Sequence, residues 1–487
     1  MKAFFSIFTR VGRLTVALLM ALPCIASAEG EIPLTTKSAE ARKLFVEARQ
    51  KFENIRMQEA RELFSQAIAK DPSFALAHLY RSFTGVSATD FQTHLKEAVA
   101  LAPKVSEGER LLIESQQAGN QNDPVKATRL LEQLVQKFPN DKRAHLFLGY
   151  AYGGRDEDDK AIAAYQRAIA LDQNFAPAYN VMGYAYREKG EFAKAEEAFK
   201  NYIRLLPGEA NPYDSLADLY TKMGRYDEAI QNYKKAVQLN PAFAFSQGKI
   251  GDNLVFLEKY EEGREAYRQA IEMATTPSEK LMPMAALAHS YIYEGQPEQA
   301  IVEGEKVLQM ANQEALPEWQ AGTHASHCEI YLESGNLDKA EQSLAECKKI
   351  VLASQLSPTL KEEFAKSALF DEAMIAAKRK DFTKALAKAD EFKAMVATGK
   401  NPKEMENHHA LLGRIYFEKR EYAKAVDHLK QANQENPYTL YLLAFATTDA
   451  GDMAKGAELY KKVASWNENS LDYAFVRSKA KMALEAN

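Results

Sequence analysis

The residues best suited to chemistry are two cysteines, a few histidines and one acidic turn. Cys328 and Cys347 fall on small-residue positions of two successive apolar stripes. A disulfide needs Cα atoms within about 7 Å and an oxidising compartment. A Cys328–Cys347 bridge is therefore one expectation; the other is two buried thiols acting as small hydrophobes. His324, His327 and Cys328 share one helix face, with His289 further upstream. Imidazole and thiolate suit zinc, but these are packed-core positions, and no carboxylate stands where it would orient a ligating ring. The spacing implies core histidines and no metal. His408 and His409 are adjacent, so a helix splits them across two faces. Gly153 and Gly154 precede Arg155, Asp156, Glu157, Asp158 and Asp159. That run lacks the glycine and distal glutamate of a calcium loop and reads as a solvated turn. No glycine-rich phosphate loop, His-Glu-x-x-His, Gly-x-Ser-x-Gly or Cys-x-x-Cys occurs. An enzyme would need a cluster such as Glu329, His289 and His327 between distant stripes. The motifs point instead to a non-catalytic chain without a cofactor.

The elements that position these residues repeat at a 34-residue interval from Lys142 to Thr275. Leu148, Gly149 and Tyr152 are followed by Ala161, Tyr165 and Ala168. Met182, Gly183 and Tyr186 are followed by Ala195, Phe199 and Tyr202. Leu216, Ala217 and Tyr220 precede Ala229, Tyr233 and Ala236, and Ile250, Gly251 and Leu254 precede Gly263, Tyr267 and Ala270. Each set is two apolar stripes of helical period. Gly190 separates one pair of stripes, where a left-handed residue ends a helix at no Cβ cost. Gly224, Gly295, Gly335 and Gly451 hold the same phase. The unit is a helix, a tight turn and an antiparallel helix. One hairpin cannot bury both stripes, so hairpins must stack.

These residues, with Pro72, Pro103, Pro139, Pro207, Pro241 and Pro437 at repeat boundaries, resemble the tetratricopeptide repeat. The resemblance implies an all-α, right-handed solenoid of about twelve helical hairpins with a C-terminal capping helix. It also implies a concave face lined by the first helix of each hairpin. Asn180 and Tyr184, or Asp214 and Asp218, stand where carboxylate-clamping relatives carry lysine and asparagine, so no such clamp is expected.

Residues 1–28 differ from the rest. Lys2, Arg10 and Arg13 precede an apolar run from Leu14 to Ile25, and Ala26-Ser27-Ala28 follows. That is the pattern of a cleaved export signal, and the run is shorter than the roughly 20 residues a spanning helix needs. The chain is expected to be periplasmic or secreted, with no transmembrane segment. Cleavage near Ala28 removes three cations and takes the formal charge from −5 to −8. An acidic chain with dispersed lysines lacks the basic stripe that nucleic acid needs. The expected divisions are a leader at 29–40, an N-terminal array at 41–275, an uneven array at 276–466 and a cap at 467–487. In the uneven part, repeats are expected to start near Leu281, Ala321, Lys366, Glu406 and Pro437. Extra residues at Ala311–Gln320, Leu352–Lys361 and Ala394–Met405 imply longer helices or loops.

Positions one step off the core stripe should line the groove: Phe45, Arg49, Phe83, Tyr150, Asn180, Tyr184, Arg187, Asp214, Asp218, Asp252, His289 and Tyr293. Their character runs from aromatic to acidic. Rigid aromatics suit protein or peptide segments, and an acidic middle favours a partner bearing lysine or arginine. The functional expectation is a protein-interaction scaffold of the cell envelope. A carbohydrate- or small-ligand-binding module using the same aromatics is the alternative.

Overall fold

The computed structural model describes residues 30–241, 243–397 and 403–486; the expected signal segment lies outside them. The described residues form α-helices and one short 3-10 turn, with no strand among them. The helices come in pairs. The first four pairs are α1 (Ala39–Glu53) with α2 (Met57–Lys70), α3 (Ala75–Phe83) with α4 (Ala88–Leu101), α5 (Glu107–Asn120) with α6 (Pro124–Lys137), and α7 (Lys142–Gly153) with α8 (Asp158–Leu171). Next come α9 (Ala176–Glu188) with α10 (Phe192–Leu205), α11 (Ala210–Lys222) with α12 (Tyr226–Leu239), and α13 (Ala244–Phe256) with α14 (Tyr260–Met273). Longer helices follow: α15 (Pro277–Tyr293) with α16 (Pro297–Gln313), α17 (Pro317–Glu333) with α18 (Leu337–Ala353), and α19 (Pro358–Lys378) with α20 (Phe382–Ala397). The array ends with α21 (Glu404–Glu418) and α22 (Tyr422–Leu429), α23 (Pro437–Asp449) and α24 (Met453–Ala464), and a single α25 (Leu471–Glu485). The described residues thus form twelve hairpins and one further helix, as the spacing predicts. Most of the extra residues in the uneven part lengthen helices, so α15 and α19 begin a few residues before the expected starts.

Local sequence explains the hairpins. A residue with positive φ sits in the turn of every hairpin except the second. Gly190, Gly224, Gly295, Gly335 and Gly451 fill five of these turns, as their phase predicts; Ile55, Asn122, Asp156, Glu258, Lys380 and Arg420 fill the others. Close approach is the second device. A Cβ at Gly149 would lie 2.1 Å from the Tyr165 ring, and one at Gly183 or Gly251 would lie 2.6 Å from Phe199 or Tyr267. The ring therefore occupies the volume a side chain would take, and the two helices pack at glycine distance.

Odd-numbered helices pack along one another as well as within their hairpins, notably α13 on α15, α17 on α19 and α19 on α21. They form the inner layer of a curved stack. The curve brings distant hairpins together. Arg56 donates twice to Glu209 at 2.9 Å. Asn122 donates to Glu404 at 2.5 Å, and Thr359 to the Asn120 carbonyl at 3.4 Å. Residues 30–38, within the expected leader, pack back onto the array. Ile32 N–H donates to Asp141 at 3.0 Å, and Thr35 N–H to the buried Glu109 at 2.8 Å.

Candidate functional site

The inner face carries most of the expected groove residues, but the chain itself uses many of them. At the start of the array, Phe45 is in the core rather than the groove. It packs against Phe64, Phe74 and Tyr80 with centroids 4.8–5.6 Å away. Ala41, Phe45 and Ala48 are the buried stripe of α1, so the phase taken from later copies is displaced here. Arg49 covers the Phe45 ring at 5.4 Å. Burial and the nearby Arg143 charge lower its pKa.

Phe83, Tyr150 and Asn180 do converge. They line a hollow of about 670 Å³ with Phe52, Tyr80, Phe91, Phe147 and Leu131. Phe83 lies 6.0 Å from Phe52 and 6.3 Å from Phe147. Tyr150 is 47% exposed, a large value for an aromatic ring inside a cavity wall. The polar contribution centres on Arg143, whose Nε donates to Glu53 at 2.6 Å. Burial raises the Tyr80 hydroxyl to about 12, so it stays a neutral donor. Phe52 and Phe91 were not foreseen, because one ends a helix beside a turn and the other lies on a second helix.

Further along, the expected groove residues are structural. The Tyr184 hydroxyl donates to Asp218 at 2.9 Å, and Arg187 covers its ring at 4.8 Å. Asp218 also accepts from Tyr233 at 2.5 Å. Asp214 is buried and accepts from Ser246 at 2.6 Å. Burial and repulsion from Asp218 hold its carboxyl far above the ordinary range. Asp252 is buried and accepts from Tyr267 at 2.7 Å. The acidic middle is thus consumed by the chain's own hydroxyls and does not present the free carboxylates expected for a basic partner.

The last part of this face is filled by the segment Trp466–Ser470. Asn467 accepts from the Tyr226 hydroxyl at 2.6 Å. Asn469 donates to Asp252 at 2.6 Å and accepts from Tyr293 at 3.1 Å. Trp466 lies under Lys222, whose Nζ is 4.6 Å from the ring. Ser470 then caps α25, which turns away along α15, α23 and α24. Phe256, Tyr293 and Tyr473 form an edge-to-face cluster at 5.9–6.0 Å. Tyr293 is therefore buried beneath α25 rather than open to a partner. The cap covers more than the final apolar face: Arg477 reaches back to the Phe256 carbonyl at 2.7 Å.

Between the first hairpin and α11–α15 a second hollow of about 890 Å³ remains, lined by Met57, Phe245, Met282, Trp319, His289 and Asn469. Burial lowers His289 to about 4, leaving it neutral.

Cys328 and Cys347 are free thiols, both buried, and no bridge joins them. Burial raises both thiols, Cys347 to about 11. Among the described residues no group of three or more His, Cys, Asp or Glu side chains is arranged to hold a metal ion. No helix among them is long and apolar enough to cross a membrane.

The arrangement defines a helical-hairpin solenoid with a partly self-filled inner face. Tetratricopeptide-repeat family models match residues 120–183, 176–207, 215–243 and 246–276. Those stretches are similar to tetratricopeptide repeats, and the hairpins on either side continue the same packing. No curated protein matches the chain. Among solved structures, MamA from residue 41 of Desulfovibrio magneticus RS-1 is 18% identical, covering 34% of this chain and 95% of its own, with a TM-score of 0.30. Another MamA structure is 25% identical over 40% of this chain and 94% of its own, with a TM-score of 0.24. YrrB, described as a TPR protein with an unusual peptide-binding site, is 18% identical over 37% of this chain and 91% of its own, with a TM-score of 0.27.

Proposed function

We propose that this chain is an interaction scaffold whose N-terminal hollow takes an extended polypeptide segment. The observation that carries the reading is Trp466–Ser470. A non-helical stretch of chain already lies on the inner face of α11–α15, held by asparagine amides against tyrosine and aspartate. The hollow at α3, α7 and α9 continues that face and offers aromatic walls instead. A guest there would place apolar side chains against Phe83, Phe147 and Tyr150 and satisfy its backbone on Asn180. Rigid aromatic walls give contact area at low entropy cost.

A displayed peptide library panned on the full chain tests this. Enriched peptides are expected to share an apolar anchor and to lose binding to Phe83→Ala. A library that yields no peptide sensitive to that substitution refutes the reading. Export is a further part of the proposal, supported by the composition of residues 1–28. A cell-derived chain whose N-terminus is Met1 rather than Glu29 would remove it.

A further inference from the structure

The uneven half of the array holds a separate cavity of about 330 Å³. It lies between α17, α19, α21, α23 and α25, away from both hollows described above. Its floor is Glu329, Asp371 and Arg414, its walls include Phe370, Tyr438 and Phe475, and Ser367, Asn407 and Asn433 are exposed at its mouth.

The charges in this cavity do not balance. Lys366 is taken by Glu404, Glu363 and Glu362 at 2.8–3.0 Å. Arg414 meets Asp472 at 3.5 Å and lies over the Tyr438 ring at 4.0 Å. Glu333 accepts from the Tyr438 hydroxyl at 2.7 Å and has Lys378 at 3.6 Å and Lys479 at 3.9 Å. Asp472 accepts from Asn436 at 2.6 Å. That leaves Asp371 and Glu329 with Arg414 as their shared neighbour. Asp371 is 5% exposed, and its Oδ2 has no hydrogen-bond donor among the described residues. An unsatisfied buried carboxylate oxygen is costly, and it lines a space large enough for a ligand.

We propose that this cavity binds a primary alkylammonium group, with Asp371 and Glu329 accepting its N–H donors and the aromatic walls taking its alkyl stem. An ammonium has three donors and no acceptor, which matches the unpartnered Asp371 oxygen and Glu329 on the floor; Arg414 beside them is directed to Asp472 and the Tyr438 ring. Aromatic faces add cation–π attraction. An anion would meet Asp371, Glu329, Glu333, Glu404 and Asp472 at once. A neutral guest would leave the charge as it stands. The cavity carries its own sign of this: burial raises both carboxyls above their ordinary range, with repulsion from Asp371 adding at Glu329 and from Glu372 at Asp371. The charged and titratable groups facing them are Glu333 and Cys328 on α17, Lys366 and Glu372 on α19, Arg414 on α21, Tyr438 on α23 and Asp472 on α25. A bound cation favours the ionised carboxylates, so binding releases a proton and tightens as pH rises towards neutrality.

The ammonium can arrive on a free amine or on a lysine side chain, and calorimetric titration of the full chain separates the two. The probes are 1,5-diaminopentane, Nα-acetyl-lysine amide and, as the uncharged control, 1,5-pentanediol. Saturable binding of either ammonium probe but not of the diol is expected, and whichever binds more tightly identifies the source. Asp371→Asn and Glu329→Gln should each weaken binding by at least about tenfold, while exposed Glu298→Gln on α16 leaves it unchanged. Circular dichroism confirms that each variant is folded. Failure of both ammonium probes to bind, equal binding of the diol, or wild-type affinity in both folded carboxyl variants overturns the proposal.

Discussion

Gly183→Leu tests the packing of the array at its most regular point. The missing side chain is required by Phe199, which is fully buried. An ideal Cβ at position 183 would lie 2.6 Å from Phe199 Cε1 and 2.8 Å from Cδ1 and Cζ. Leucine adds three further carbons where even the first does not fit. The ring must leave its place or α9 and α10 must part. Overpacking of this kind costs about 1–3 kcal/mol, against about 1 kcal/mol gained by removing a glycine from a helix. The net expectation is a loss of up to about 2 kcal/mol. Stacked repeats open locally, so the damage concentrates in the fifth hairpin and its neighbours. Urea denaturation should show a lower midpoint, and native-state hydrogen exchange should quicken in α9 and α10 but not in α19. Unchanged midpoint and unchanged exchange would refute the assignment of Gly183 to the helix–helix seam.

Other substitutions test other parts of the structure. Gly322 in α17 has nothing within 4 Å of its would-be Cβ, so Gly322→Ala should stabilise by about 1 kcal/mol in the same urea assay. Ile55 is a β-branched residue at φ 60°; Ile55→Gly should raise stability by about 0.5–1 kcal/mol despite glycine's extra entropy. Asn469→Ala removes a 2.6 Å donor from buried Asp252 and should cost about 1–2 kcal/mol, read as faster proteolysis near Trp466. Burial and Asp218 hold the Asp214 proton in the folded state well above the ordinary carboxylate range. The folded chain therefore binds one more proton than the unfolded chain above about pH 4, and stability falls as pH rises from there towards neutrality. Asp214→Asn should flatten that fall in melting curves recorded from pH 4 to 7.

The hairpins were legible because each is a local matter. Gly190 and its counterparts mark turns, and the stripes from Leu148 to Ala270 mark helices, within a few tens of residues. The extra turns of α15–α19 were legible as added length but not as helix, because nothing at Ala311–Gln320 distinguishes a longer helix from a loop. Groove exposure was less legible. Phe45 follows the same offset rule as Tyr150, yet among the described residues no hairpin precedes α1, and its aromatic turns inward to Phe64 and Phe74. Asn469 meets Asp252 across 217 positions, and no periodicity reports a pairing at that separation. The acidic cavity draws on five helices, four of which contribute carboxylates that look like an ordinary solvated face in isolation. His327 and Cys328 are buried while His324 is only partly so, an order that follows their phase on α17.

The cross-turn bonds from Arg56 to Glu209 and from Asn122 to Glu404 change what kind of mechanical object this chain is. A coil joined only between successive windings stretches like a spring, because small rotations add along its length. Latches between non-successive windings fix the pitch and convert the spring into a stiff ring. Because one latch is a partly exposed ion pair, salt softens it, so the compliance of the coil is itself adjustable by the surrounding solution.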